Sequence, residues 1–260
     1  MRRSEDRPLT LAATALALAL ALSGCSDDVV CPDIVPGATA LHVSAHLTQR
    51  SDDPATGREE SAFAEVVCSG DPLPVTLIAY INGRSLSDVG PADDMGLRAT
   101  FEDDEVLWAS GTPCSLGVTT DFGYATSTVL IPFAASPEAP LENEVGETLT
   151  ISWSQAAGAD YYRVTATLVA EPSAAFGSRD TLAIELNTRG TSATFTPDDL
   201  PVTGVLNGVV ESVAGPFPEG GSEGNIEGDG WGFFSAIYSD AGSVFEVAIY
   251  DPLDRMRPSK

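Results

Sequence analysis

"ETLTISWSQAAGADYYRVTATL", Glu147 to Leu168, decides the fold class. Leu149, Ile151 and Trp153 alternate with Thr150 and Ser152, so one face of an extended strand is apolar and the other polar. A turn of small residues follows, and then Tyr162, Val164, Ala166 and Leu168 repeat the period of two. Outward from here the same signal recurs. Leu41, Val43, Ala45 and Leu47 alternate against His42, Ser44, His46 and Thr48 within Thr39 to Gln49. Val75 to Ile81 alternates and runs into Asn82-Gly83, a pair that tolerates positive φ at both positions of a two-residue hairpin. Val106 to Ala109 and Tyr124 to Phe133 read as further strands. No long stretch carries an apolar period of 3.6, so the chain is expected to be all-β, with two tandem β-sandwich domains.

The divide between the two lies in "PFAASPEAPLENEVGE", Pro132 to Glu147, a proline-rich polar run of the kind that links domains or leads into a first strand. Placing it near Ser136 gives a first sandwich over 37–135, a second over 136–252 and a tail over 253–260.

The second half resembles a fibronectin type III domain. Glu147 to Leu168 is similar to its strands B and C, in which a Trp and a Tyr pack between two sheets. "TSATFTPDDLP", Thr191 to Pro201, is similar to strand E and the turn after it, with Leu200 in the place of that turn's buried leucine. The resemblance implies an immunoglobulin-like sandwich with strand F within Leu206 to Ala214. It departs from the family pattern at Leu206, where a tyrosine corner is expected. Residues 37–135 carry no pattern beyond that of a second sandwich.

The N-terminus carries an address. Arg2, Arg3 and Arg7 precede a run from Leu9 to Leu22 that is apolar except for two threonines, and Ser23 and Gly24 follow. This is the layout of a secretory signal, with an apolar run too short to span a bilayer, which takes roughly 20 residues. Leu22-Ser23-Gly24-Cys25 resembles the bacterial lipobox, which implies cleavage before Cys25 and attachment of lipid to that cysteine. Each buried methylene of an acyl chain contributes roughly 0.8 kcal/mol, so several chains would tether the body to a bilayer. The segment 1–24 then reads as signal peptide and 25–36 as tether. Ser26 after the cysteine implies, by likeness to enterobacterial lipoproteins, the outer membrane of the cell envelope.

The formal charge is −25, and loss of the leader removes three arginines against two acids. Such a surface repels nucleic acid and anionic headgroups and suits cations, basic partners or plain solubility. With Cys25 assigned to lipid, three cysteines remain in an oxidising compartment. Cys68 and Cys114 sit at the edges of strand-like runs in one domain and are expected to pair, which would remove roughly 4 kcal/mol of unfolded-chain entropy. Cys31 is then free or competes for one of them.

Catalytic signals are few. His42 and His46, the only histidines, point to one face of a strand about 13 Å apart, too far to share a metal ion. No G-x-S-x-G elbow occurs, and the many carboxylate pairs are what 38 acids in 260 residues produce by chance. "FEDDEVLW", Phe101 to Trp108, reads as a charged turn between strands. "PEGGSEGNIEGDGWGFF", Pro218 to Phe234, is either a solvated acidic loop or a calcium site built from Glu223, Asn225, Glu227 and Asp229, since calcium takes six to eight oxygens from such loops. The twelfth position counted from Asn225 is Ala236, which breaks the match to an EF-hand. Trp231 beside this loop is either a core residue or a contact for a sugar ring or protein partner. The expectation is a lipid-anchored, non-catalytic binding or structural module that contacts an envelope protein or glycan. The alternatives are a calcium-stabilised adhesion or polysaccharide-binding lipoprotein, and an enzyme or its accessory subunit.

Overall fold

The computed structural model describes residues 41–51, 60–70, 73–92, 96–105, 108–170, 181–218 and 223–255. The expected signal peptide, Cys25, Cys31 and the tether lie outside the described residues. In chain order the strands are β1 (Leu41–Arg50), β2 (Ser61–Ser69), β3 (Leu77–Ile81), β4 (Arg84–Ser85), β5 (Asp88–Ala92), β6 (Gly96–Asp103), β7 (Pro113–Thr120), β8 (Gly123–Leu130) and β9 (Pro137–Glu138). They continue as β10 (Glu142–Glu144), β11 (Leu149–Trp153), β12 (Tyr161–Ala170), β13 (Thr181–Thr188), β14 (Ser192–Phe195), β15 (Gly204–Ala214), β16 (Glu227–Gly228), β17 (Gly230–Ser239) and β18 (Val244–Tyr250). The described residues are all-β apart from a 3-10 turn at Ala241–Ser243 and a helical turn at Pro252–Arg255.

Period-two alternation becomes burial. In β1 the apolar set from Leu41 to Leu47 is buried while His42, Ser44 and His46 face outward. Asn82 (φ 49) and Gly83 (φ 77) form the expected turn, placing Ile81 opposite Arg84. Of the strand expected at Val106–Ala109, residues 106 and 107 fall outside the described residues, and Trp108 lies in a bend. A buried side chain fixes that bend. Gln49 Nε2–H donates to the Trp108 carbonyl at 3.2 Å, and Trp108 N–H donates to Gln49 Oε1 at 3.1 Å, so a buried glutamine holds the backbone at the bend. The acidic run before it belongs partly to β6, which extends to Asp103.

The described strands form three sheets. The largest runs β10-β18-β15-β17-β1-β2-β6-β5, with β12 also on β15 and β13 on β12. A three-stranded sheet runs β14-β11-β9, and a five-stranded one β16-β8-β7-β3-β4. One core lies between the inward faces of β1 and β2 and those of β3, β7 and β8, and includes Leu47, Val66, Ile81, Leu116 and Val118. A second gathers Leu149, Ile151, Trp153, Tyr162, Phe195, Leu200, Leu206 and Phe245. Trp153 and Tyr162 meet edge to face at 5.2 Å, and the Tyr162 hydroxyl accepts from the Ala156 N–H at 2.7 Å, which closes the small-residue turn between β11 and β12.

Chain order and packing part company at β17. This strand belongs to the expected second block, yet its inward residues Phe234 and Ala236 are fully buried in the first core. It pairs in parallel with β1 along the whole strand, from Leu41 opposite Gly230 to Arg50 opposite Ser239. Its end also pairs with β15, Ser212 to Ala214 against Tyr238 to Ala236. A capped turn then redirects the chain: Gly242 N–H donates to Asp240 Oδ1 at 2.8 Å and Asp240 N–H donates to Ser243 Oγ at 3.1 Å. Beyond it, β18 continues along β15 and supplies Phe245 and Val247 to the second core.

Candidate functional site

The parallel register of β1 and β17 sets aromatic and imidazole side chains in rows on the outer face of the largest sheet. His42 stands opposite Trp231 on one side and Ser69 on the other, and Ser44 stands between Phe233 and Val67. His46 faces Ser235 and Glu65, and Thr48 faces Phe63. Trp231 is 53% exposed and Phe233 37%. The His42 ring lies 4.4 Å from the Trp231 ring, tilted by 58°, and its Nδ1 is 3.4 Å from Ser69 Oγ. His46 sits 5.8 Å from Phe63. Trp231, which the sequence left between core and ligand contact, is thus a surface residue steadied by an imidazole.

Partial burial lowers the pKa of His42. Burial also lowers that of His46, with the Glu65 carboxylate opposing and the Arg163 guanidinium adding to the effect. Both rings are therefore biased toward the neutral form at neutral pH, in which each can donate and accept. The face ends in a charged cluster where β1, β12 and β15 converge. Glu211, only 1% exposed, accepts from Arg163 Nε at 2.7 Å and from Arg50 at 3.2 Å, while Arg98 on β6 lies 3.6 Å from Glu65. Carboxylates and guanidinium groups are close to balanced here, unlike in the chain as a whole.

The glycine-rich acidic loop is an ordered clasp over its described part. Asn225 Nδ2–H donates to the Phe234 carbonyl and Phe234 N–H donates to Asn225 Oδ1, both at 2.8 Å. Ser127 Oγ donates to the Asn225 carbonyl at 2.7 Å. Glu227 and Gly228 add a short strand to β8, opposite Thr126 and Ala125. Asp229 bridges to Tyr124 twice: its N–H donates to the Tyr124 carbonyl at 2.9 Å and its Oδ2 accepts the Tyr124 N–H at 3.1 Å. Of the four residues expected to ligate calcium, Asn225 and Asp229 thus spend side-chain oxygens on backbone amides. Among the described residues, no group of three or more His, Cys, Asp or Glu side chains is placed to hold a metal ion.

Cys68 and Cys114, expected as a pair, are free, buried thiols of the first core. Burial pushes both thiol pKa values up to about 12. The sequence singled out neither Phe233 nor Phe63. Each looks like one more apolar residue of a strand, and only the register across β17, β1 and β2 brings them to one face with Trp231. No protein family matches this sequence, and no curated protein matches it either.

Proposed function

We propose that the protein is a membrane-tethered, non-catalytic binding module of the cell envelope that meets an envelope protein or glycan through the outer face of its largest sheet. The observation that carries this reading is the half-exposed Trp231 beside Phe233 on a strand paired with β1 along its whole length, since large aromatics on a surface anchor interfaces. The lipobox-like Leu22-Ser23-Gly24-Cys25 supports lipid attachment at Cys25 and location at the outer membrane. The Trp153–Tyr162 contact, the buried Leu200, and the opposition of β14-β11-β9 to strands that include β12, β15 and β18 support a fibronectin type III-like second sandwich.

Two measurements test the proposal. In a diderm host, the processed chain is expected to begin at an acylated Cys25 and to fractionate with membranes, whereas Cys25→Ala stays uncleaved; an unmodified chain in the soluble fraction defeats the anchor. A photo-crosslinking side chain placed at Phe233 in intact cells is expected to give a discrete adduct that one at exposed Val75 does not; equal labelling defeats the binding face.

A further inference from the structure

The five-stranded sheet has its own outer face, and it differs in chemistry from the face that carries Trp231. In its middle row Tyr80 of β3 stands opposite Gly117 of β7, which stands opposite Thr126 of β8. In the adjacent rows Thr119 pairs with Tyr124, and Ser115 with Thr128. These residues line a shallow cleft of about 450 Å³, floored at Gly117 and walled by two tyrosines. Tyr124 is half exposed, and the Asp229 clasp fixes its backbone.

Gly117 is the first clue. Glycine weakens a strand interior, and a conformational or packing reason normally accounts for it. Gly208 has such a reason, because a Cβ there would lie 2.3 Å from the Phe245 ring. Gly117 has none: its φ is not positive, and a Cβ would meet nothing closer than the Tyr124 hydroxyl at 3.7 Å. What the glycine provides is the gap itself, where something outside the chain can approach the backbone.

Charge is the second clue. No residue lining the cleft is ionisable near neutral pH, in a chain with 38 acids. An anion would find no cation among the lining residues, and a basic partner would find carboxylates beside the lining rather than in it, from Glu227 next to Thr126 and from Asp229, whose Oδ2 accepts the Tyr124 N–H. The lining instead presents hydroxyls from Tyr80, Ser115, Thr119, Tyr124, Thr126 and Thr128, of which Ser115 already donates to Asn82 Oδ1 at 3.1 Å. The backbone groups of β3, β7 and β8 are engaged in the sheet order β16-β8-β7-β3-β4, so an extended peptide laid on this face gains no ladder bonds. A neutral ligand with hydroxyls of its own and a ring face of C–H groups to lay on tyrosine meets every one of these conditions.

The geometry points to a binding site for a neutral glycan on this face, with pyranose rings stacked on Tyr80 and Tyr124 over Gly117. This site is independent of the Trp231 face and stands whether or not that face binds anything. The test is calorimetric titration of the full chain in detergent with neutral oligosaccharides: β-1,4- and α-1,4-linked glucose hexamers, mannohexaose and N-acetylglucosamine hexamer. Hexagalacturonate serves as the acidic comparison.

Binding of at least one neutral oligosaccharide in preference to hexagalacturonate is expected. Tyr124→Ala should weaken it by about tenfold, the scale of one aromatic contact. Gly117→Val should weaken it at least as much while leaving the melting temperature unchanged or raised, because a β-branched residue suits a strand and the space is open. Tyr80→Ala gives the same loss without touching the strand backbone, and Trp231→Ala leaves affinity intact. The inference is overturned if no neutral oligosaccharide binds, if hexagalacturonate binds more tightly, if Gly117→Val and Tyr124→Ala retain full affinity, or if Trp231→Ala abolishes binding while they do not.

Discussion

The two cores are assembled in different ways. The second is built from neighbours in sequence, Ala135 to Ile249, and is centred on large aromatics: Trp153 against Tyr162, and Phe195 with Phe245 at 6.3 Å. The first is mostly aliphatic and small, with Ala45, Ala64, Ala79, Ala99 and Ala125 among its members, and it takes its one fully buried phenylalanine from β17, a strand that comes after most of the second core in the chain. A core in which small side chains are common allows close sheets, and Phe234 is the largest of its fully buried side chains. The second core closes within residues 135–249, with β18 its last contributor; the first is completed only when β17 returns to it.

Phe234→Ala is the sharpest probe of this dependence. It should cost about 3–5 kcal/mol, the usual range for a buried Phe. Since β17 continues into β18 through the Asp240 turn, the loss should shift unfolding at Trp108 and at Trp153 together, read in variants that retain one tryptophan each. A Trp153 transition that stays in place would mean that the second core stands without the first.

A smaller effect is expected where the two halves are pinned by charge. Glu211→Gln removes the carboxylate shared by Arg50 of β1 and Arg163 of β12, and should cost about 2 kcal/mol by urea denaturation. Arg50→Gln should cost clearly less, because the Arg50 side chain is 40% exposed and the shorter Arg163 contact survives. Equal losses would show that the cluster acts as one unit.

The Asn225 clasp comes next. Asn225→Ala leaves the Phe234 N–H and carbonyl without their side-chain partner and should cost about 1–2 kcal/mol, by the same amount in EDTA and in millimolar calcium. A cost that appears only with calcium present would restore the metal reading of this loop.

The smallest expected effect is a pH dependence confined to the outer face. The folded pKa values of His42 and His46 lie below the ordinary value of 6.5, so in the window between the two the unfolded chain binds more protons. Their contribution is complete above pH 6.5 and is lost as the pH falls through the folded values. A double His42→Gln, His46→Gln variant should show a flatter dependence between pH 7 and pH 5 than the parent; an unchanged curve would place the titration elsewhere.

Legibility in the sequence tracks the reach of each interaction. Alternation within β1, β11 and β12 and the Asn82-Gly83 turn depend on residues a few positions apart, and these appear as expected. The parallel pairing of β1 with β17 joins Leu41 to Gly230, and no local signal marks a strand's partner when most of a second core lies between. For the same reason the acidic loop read as solvated or calcium-binding, because its anchors, Ser127 and Tyr124, lie about a hundred positions earlier. The bend at Trp108 was obscured differently: the strand composition around it carries no sign of the two hydrogen bonds that Gln49, 59 positions earlier, makes with the Trp108 backbone. The cleft over Gly117 was hidden by its blandness, since outward Ser and Thr residues look like any wet strand face until three strands are set side by side.

The parallel register of β1 has a mechanical consequence. Pulling on the segment that precedes Leu41 drags β1 lengthwise past β17, to which it is matched over ten residues, and past antiparallel β2 on its other side. Force along that axis loads both ladders in shear, so their bonds resist together instead of opening one at a time from an end. A body leashed by its N-terminus would therefore meet tension with its strongest arrangement, and the rupture force should be far greater in this direction than for peeling β5 from the edge of the same sheet.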